Sequence, residues 1–500
     1  MLSPRLAARI VTGSSYLDPL CAGTFVTDWL PGRGLRAPEL SSQTVTLAVA
    51  AALLLAVVGL HPVSVLPVRS QYALSVFVVA LLLWLTKPVP YAISSLACVS
   101  LLYALGVVDS FETAVSGFTS SLVYFLLVLL LLGNAVRSVG LDTRLANRLL
   151  SPDSTPRGAF RSITRNVLVL ALFMPSAMAR AVAFIPIVEE VTEEFDLPSG
   201  SGFERASFLL LGHINPIASM ALMTGGGMAL VTSGILATSV RPLSWVEWAV
   251  LMVPPTVVLY VLAAVAAGLF NAVDADSTVD PDKPGIADAS SDGELTREQG
   301  CVAVVMAGTV LAWVVGSFVG LPEILPAVVA VTVLALPGVE VIDADDVKGL
   351  SWGVLFLIGA TLSILDALEA TRTIALVVDL LARFVPFEAF SHWQLVGLLL
   401  GFAVAVRVLF STGSAAIVVI LPIVLRFAET FGVTRLYLGL AVLLVVGSTT
   451  ILPFNTTAVL VSLDRGPLTN RDVTLFGLVT MGLSLVVVTL SWLFYWPLVA

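Results

Sequence analysis

Two short polar stretches interrupt apolar sequence, and both carry groups suited to holding small ions. The first is Ser176-Ala177-Met178-Ala179-Arg180, and the second is Thr412-Gly413-Ser414-Ala415-Ala416. A proline stands ten residues after the first hydroxyl of each, Pro186 and Pro422. Hydroxyls, glycine and a guanidinium are costly at membrane depth unless they line a site or a cavity. A broken helix or re-entrant hairpin there exposes carbonyls, which with hydroxyls are hard oxygen ligands for a small cation. The first amides of a half-helix carry partial positive charge and suit an anion. Gly225, Gly226, Gly227 and Gly413 allow the close backbone approach such a site needs. Anion and cation sites side by side are what a symporter requires, and the recurrence points to a carrier built from two related halves.

The elements that position these residues are apolar runs. The chain of 500 residues is 58% hydrophobic and 12% charged, with mean hydropathy +1.01. A soluble protein of this length would carry about 25% charged residues. Runs near twenty apolar residues span a bilayer as helices, so the fold class is an all-α polytopic membrane protein. Long apolar runs without alternation exclude a transmembrane barrel. Spans are expected at 44–62, 71–86, 90–108, 119–137 and 246–271 in the first half, and at 299–319, 322–339, 352–368 and 473–497 in the second. An amphipathic stretch covers 371–385. About eleven spans and two re-entrant hairpins result.

The halves match in sequence. Trp84 and Trp313 lie 229 residues apart, Gly106 and Gly338 232, and Pro186 and Pro422 236. The first repeat is expected over 44–271, with a hairpin at 164–191 and a broken helix at 205–240. The second is expected over 299–500, with a hairpin at 392–430 and a broken helix at 433–464. Residues 1–43 read as a cytoplasmic segment too polar for a signal peptide, and 272–298 as a flexible acidic cytoplasmic linker. Arg137, Arg144, Arg148, Arg157, Arg161 and Arg165 crowd the connection before the first hairpin, whereas the counterpart holds Arg372 and Arg383. Positive-inside bias places the first connection in the cytoplasm. Five spans between the two then invert the repeats, so the hairpin tips meet near the midplane, with the C-terminus extracytoplasmic.

Other chemistries find little support. The net charge is -9, without a basic stripe for nucleic acid. Lysines number three, and an acidic, lysine-poor exterior suits either a salt-rich cytoplasm or a GC-rich genome. Cys21, Cys98 and Cys301 give neither a disulfide framework nor metal spacing. His61, His213 and His392 are isolated, and His213 reads as a satisfied interior histidine. A membrane-embedded enzyme would need a nucleophile–base pair or metal ligands, and no such motif is placed for catalysis. A sodium/proton antiporter would place a carboxylate near a tip, but Glu189 and Glu190 lie beyond Pro186. A channel does not need duplicated broken helices.

The paired tips, Ile451-Leu452-Pro453-Phe454-Asn455-Thr456-Thr457, Trp84-Leu85-Thr86-Lys87-Pro88-Val89-Pro90 and Leu350-Ser351-Trp352-Gly353 resemble the divalent-anion/sodium symporter (DASS) family of the ion transporter superfamily. The resemblance covers residues 44 to 499. It implies a cell-membrane homodimer with a scaffold domain and an elevator-like transport domain carrying both hairpins. It also implies a dicarboxylate, citrate or sulfate cargo, with sodium ions as coupling ions. Substrate contacts would fall at Ser176, Ala177, Met178, Arg180, Thr224, Gly413, Ser414, Thr456 and Thr457. Sodium contacts would fall at Ser176, Gly225, Gly226, Thr412 and Asn455. The family's tips read Ser-Asn-Thr, and the amide is missing from both tips here, so the cargo is not simply inherited.

Pro175-Ser176 with Ala179-Arg180, and Ser219 with Thr224, resemble citrate and plastid 2-oxoglutarate/malate translocators, which are commonly exchangers. Arg180 lies one turn after Ser176 and can share its face. It either neutralises substrate charge or stands where a cation would bind, or it is a structural arginine paired with a carbonyl or carboxylate. Arg407 either draws anions toward the second tip, pairs with a residue such as Asp366, or snorkels to the interface. A dianion entering a negative interior costs about 4.6 kcal/mol per 100 mV. Two sodium ions cancel that cost, and so does exchange for another dianion. Sodium-coupled symport is the first expectation and sodium-independent exchange the second.

Overall fold

The computed structural model describes residues 42–61, 66–141, 144, 155–172, 174, 176–271, 273, 295–382 and 387–499. The amino-terminal segment and most of the acidic linker lie outside the described residues. Among the described residues every regular element is helical. Nine of these helices are long and apolar enough to cross a membrane, and shorter apolar helices accompany them.

The first half opens with α1 (Ser42–Leu60), α2 (Val68–Thr86), α3 (Tyr91–Ala104) and α4 (Ser121–Ser138). A hairpin follows, made of α5 (Pro156–Leu170) and α6 (Ala177–Glu194). Its first arm begins inside the stretch that composition marks as a charged connection. Thr155 caps it by accepting from Gly158 N at 3.1 Å, and Pro156 occupies the first turn. Ala159, Phe160, Ile163, Val167 and Leu170 are buried, at helical spacing, while the arginines face outward.

A discontinuous helix comes next. It runs as α7 (Gly202–Leu209), a π-turn (Leu210–Ile214) and α8 (Asn215–Ala218), breaks, and resumes as α9 (Gly227–Ser239). The half closes with α10 (Trp245–Phe270), which carries Pro254 and Pro255.

The second half repeats this order with α11 (Arg297–Val319), α12 (Ile324–Leu334), α13 (Trp352–Ala370) and α14 (Thr373–Ala382). Its hairpin is α15 (His392–Leu409) and α16 (Gly413–Thr430). Its discontinuous helix is α17 (Arg435–Ser448), a break, and α18 (Thr457–Arg465), followed by α19 (Asn470–Leu490).

Pro186 and Pro422 ride inside α6 and α16 rather than ending them. Neighbouring helices supply the packing that tolerates the lost backbone bond. The two halves interlock. The second arm α6 packs on α18, and the second arm α16 packs on α9. Apolar α17 is buried along nearly its whole length, from Leu436 to Ser448. A helix that is apolar all round and sheathed by protein marks the centre of the molecule.

Candidate functional site

Four helices begin at one cavity of about 210 Å³. Ser176, Ala177 and Met178 start α6, and Gly226, Gly227 and Met228 start α9. Thr412, Gly413 and Ser414 start α16, and Thr456, Thr457 and Ala458 start α18. Each triplet is the capping residue and the first two residues of its helix. Every such start leaves backbone N–H groups without intrahelical partners and carries about +0.5 of a charge. The volume amounts to roughly seven water molecules.

Local chemistry fixes these starts. Ser176 Oγ accepts from Ala179 N at 3.2 Å, and Thr456 Oγ1 accepts from Val459 N at 3.1 Å. Thr412 makes no capping bond, which leaves its hydroxyl for the cavity. A Cβ on Gly225 would fall 2.7 Å from the Ser219 carbonyl, so the first break closes only around glycine. A Cβ on Gly227 would fall 2.9 Å from Ser414 Oγ, and one on Gly413 would collide with Met228 Sδ. The second hairpin tip and the first broken helix therefore touch backbone to side chain across the halves.

Two buried arginines flank the cavity. Arg180 is 0% exposed and Arg407 1%. Arg180 Nε donates to Asn215 Oδ1 at 2.7 Å. Its Nη2 donates to Ser219 Oγ at 2.6 Å and to the Asn215 carbonyl at 3.1 Å, and its Nη1 donates to the Met174 carbonyl. Arg407 donates to three carbonyls, from Nε to Val446 at 3.0 Å, from Nη1 to Phe410 at 2.8 Å and from Nη2 to Asn455 at 2.8 Å. None of these partners is a carboxylate. Arg407 neither pairs with Asp366, which accepts from Ser116 Oγ at 3.4 Å, nor snorkels to an interface. Both guanidiniums sit in oxygen-lined nests that would equally suit a small cation.

Two asparagines tie each tip to the broken helix of its own half. Asn215 Nδ2 donates to the Ala177 carbonyl at 2.6 Å. Asn455 Nδ2 donates to the Val408 and Phe410 carbonyls, both at 2.9 Å, and its Oδ1 accepts from Leu452 N at 2.8 Å. The Asn455 side chain is thereby committed to protein partners.

Of the residues singled out from sequence, Ser176, Ala177, Met178, Gly226, Thr412, Gly413, Ser414, Thr456 and Thr457 line the cavity together. Arg180, Gly225, Asn455 and Thr224 are absent from its lining. Thr224 Oγ1 accepts from Trp245 Nε1 at 3.2 Å. His213 is an interior residue, its Nε2 3.1 Å from the Val473 carbonyl and its ring edge-on to Phe476. Ser219 and Arg407 also line the cavity, as do Pro216, Met228, Ser411 and Gly447, which sequence reasoning missed. Ser411 and Met228 each adjoin a glycine-containing helix start, and that adjacency was the available signal. Among the described residues, the lining contains no aspartate, glutamate or histidine.

Hydroxyls, helix starts and buried guanidiniums are thus gathered at one cavity among helices long and apolar enough to cross a membrane, chemistry that suits an anion. Residues 41–500 match the family model described as the sodium:sulfate symporter transmembrane region. The chain belongs to that family, the divalent-anion/sodium symporters, which is a family of transporters rather than enzymes. A protein of Cupriavidus necator described as "Membrane protein" is 22% identical over 419 residues, 79% of this chain and 80% of the relative. The spinach protein described as "Dicarboxylate transporter 1, chloroplastic" is 23% identical over 49% of this chain and 44% of the relative. The Arabidopsis thaliana protein of the same description is 22% identical over 69% of this chain and 63% of the relative. The chain thus spans less than two thirds of the length of either plant relative.

Proposed function

We propose that this chain is a secondary transporter that exchanges small divalent anions of the dicarboxylate, citrate or sulfate class. The observation that carries the reading is the pair of buried guanidiniums, Arg180 and Arg407, with only neutral partners, at a cavity ringed by four helix starts. Arginine stays charged in proteins. Two uncompensated buried cations are costly in a membrane, and one dianion compensates both. Moved outward without it, the site would carry two positive charges against the membrane potential, up to about 4.6 kcal/mol per 100 mV. The loaded site moves as a neutral body. Outward relocation is thus cheap only with cargo, which favours exchange over one-way release.

In this reading Ser219, Ser411, Ser414, Thr456 and Thr457 orient the anion's oxygens, and the amides that open α6, α9, α16 and α18 receive its charge. The plant relatives described as dicarboxylate transporters support that cargo class. The proposed working unit is a homodimer in the cell membrane. Each hairpin and broken helix would move together against a scaffold, with the arginine-rich connection in the cytoplasm.

Sodium symport is the second reading, favoured by the family's description and by the uncapped hydroxyl of Thr412. Ser176, Gly226 and Thr412 would be its oxygen ligands. Proteoliposomes decide between the two. Under exchange, labelled succinate, citrate or sulfate enters only vesicles preloaded with an unlabelled dianion, at an unchanged rate when choline replaces sodium. Uptake into empty vesicles driven by a sodium gradient establishes symport and overturns exchange.

A further inference from the structure

We infer that Lys87, on the short connection between α2 and α3, is a capture residue at the rim of the cavity and attracts the dianion as it enters or leaves. This rests on the anion reading of the cavity and adds a residue outside its lining. The connection Lys87-Pro88-Val89-Pro90 belongs to the first half. It approaches the second hairpin tip through one side chain. Tyr91 Oη, at the start of α3, lies 3.3 Å from Ser411 Oγ, and Ser411 lines the cavity. The Lys87 ammonium stands over the Tyr91 ring, 5.0 Å from its centroid. Ammonium, phenol and hydroxyl thus connect an exposed residue to the lining. The ammonium is roughly one Debye length from Ser411, about 10 Å in 0.1 M salt, so its field reaches an arriving anion. Ser411 is followed in the chain by Thr412, Gly413 and Ser414, which open α16.

Two features mark this charge as one held for function. Among the described residues Lys87 has no carboxylate partner, whereas Lys348 pairs with Asp345 at 2.7 Å and Arg69, at the opposite end of α2, pairs with Asp109 at 3.1 Å. The backbone of Lys87 is also left-handed, at φ 47° and ψ 48°, where its N–H caps α2 by donating to the Leu83 carbonyl at 3.0 Å. Glycine is the residue that takes this cap without a Cβ penalty, and a following proline favours extended backbone before it. The cap alone therefore gives no reason for a lysine. Tyr91 sets where the ammonium stands. Its side chain packs on the start of α13, where a Cβ on Gly353 would lie 3.5 Å from Tyr91 Cβ, and attraction to the ring face holds the cation there. A clamp serving only to staple the connection would contribute to stability and leave anion affinity untouched.

The test uses the full chain purified in detergent, with whichever of labelled succinate, citrate or sulfate the wild type binds best. Equilibrium binding is the first readout, and initial-rate transport in proteoliposomes is the second. Lys87→Gln should weaken binding roughly tenfold at low ionic strength, raise KM by a similar factor and leave kcat unchanged. The difference should largely vanish in 1 M choline chloride, where the Debye length is about 3 Å. Lys87→Arg should restore affinity. Lys87→Gly should melt no lower than the wild type, because glycine accepts the left-handed backbone, and should bind as weakly as Lys87→Gln. Arg69→Gln removes the same unit of charge about 27 Å away along α2 and should bind like the wild type. Unchanged affinity in Lys87→Gln overturns the assignment. So does a loss that salt does not diminish, an equal loss in Arg69→Gln, or a lower melting temperature with affinity kept. Equilibrium binding needs no counter-transport, so the result is the same under exchange or symport. A wild type that binds none of the three anions would overturn the anion reading of the cavity, and this assignment with it.

Discussion

Arg180 and Asn215 are joined twice, Nε to Oδ1 at 2.7 Å and Nη2 to the main-chain carbonyl at 3.1 Å. The far side of the same amide holds the Ala177 carbonyl at 2.6 Å. The orientation of one guanidinium therefore sets where the first hairpin tip rests on the first broken helix. Asn215→Ala leaves the buried Arg180 Nε without its side-chain partner and cuts the tie to Ala177, at a cost of roughly 1–3 kcal/mol. Combined with Arg180→Ala, the loss should fall short of the sum by roughly 1–3 kcal/mol, because the two act on one contact. Chemical denaturation in detergent measures both values. Strict additivity would mean the contact contributes nothing.

Charge and scaffolding can be separated at Ser219. Its Oγ accepts from Arg180 Nη2 at 2.6 Å and faces the cavity. In Ser219→Asp a carboxylate would neutralise the guanidinium in place. The expected result is a melting temperature at least equal to that of the wild type, with exchange reduced a hundredfold or more, about 2.7 kcal/mol at constant temperature. Ser219→Asn, neutral and similar in size, should retain measurable exchange. Normal transport by Ser219→Asp would remove charge compensation from the mechanism.

The contact between the second tip and the first broken helix is steric. A Cβ at position 413 collides with Met228 Sδ, so Gly413→Ala must displace either the tip or the thioether. Overpacking of this kind costs typically 1–3 kcal/mol. Met228→Ala in the same chain makes room, and the pair should recover transport that Gly413→Ala alone loses. An initial-rate assay of homoexchange reports this directly, and the absence of rescue would place the fault in the backbone of the tip.

The pH dependence should belong to the cargo. Among the described residues, none that lines the cavity is an aspartate, glutamate or histidine, and arginine stays charged in proteins. Sulfate exchange should stay flat between about pH 6 and 8, whereas citrate exchange should follow the fraction of the ionised form that is carried. A sulfate profile falling across that range would reveal a coupled proton site and revive the antiporter alternative.

Much of this fold was legible because membrane depth makes polarity conspicuous. Ser176, Thr412, Gly226 and Thr456 stand out as breaks in apolar runs, and they are the residues that open the four helices. The arginines were harder to place. Arg407 precedes its tip by five residues, and its partners are carbonyls of Phe410, Val446 and Asn455, groups that every residue owns and that no sequence pattern announces. Arg180 follows its tip where Arg407 precedes the other, so comparison of the halves by a constant offset cannot pair them. The first arm of the first hairpin was obscured by Arg157, Arg161 and Arg165. Their charge reads as a connection in a composition window, although Phe160, Ile163 and Val167 keep a helical period beneath them.

The crossed seating of α6 on α18 and α16 on α9 bears on how such a molecule could arise. Either half by itself contributes two helix starts and one guanidinium, and the second arm of its hairpin lacks one of the helices on which it packs. A half-length ancestor could finish the cage only by embracing a second copy of itself. Fusion into one gene would then have preserved a partnership already made in the bilayer, and each half still carries the surface on which the other must settle.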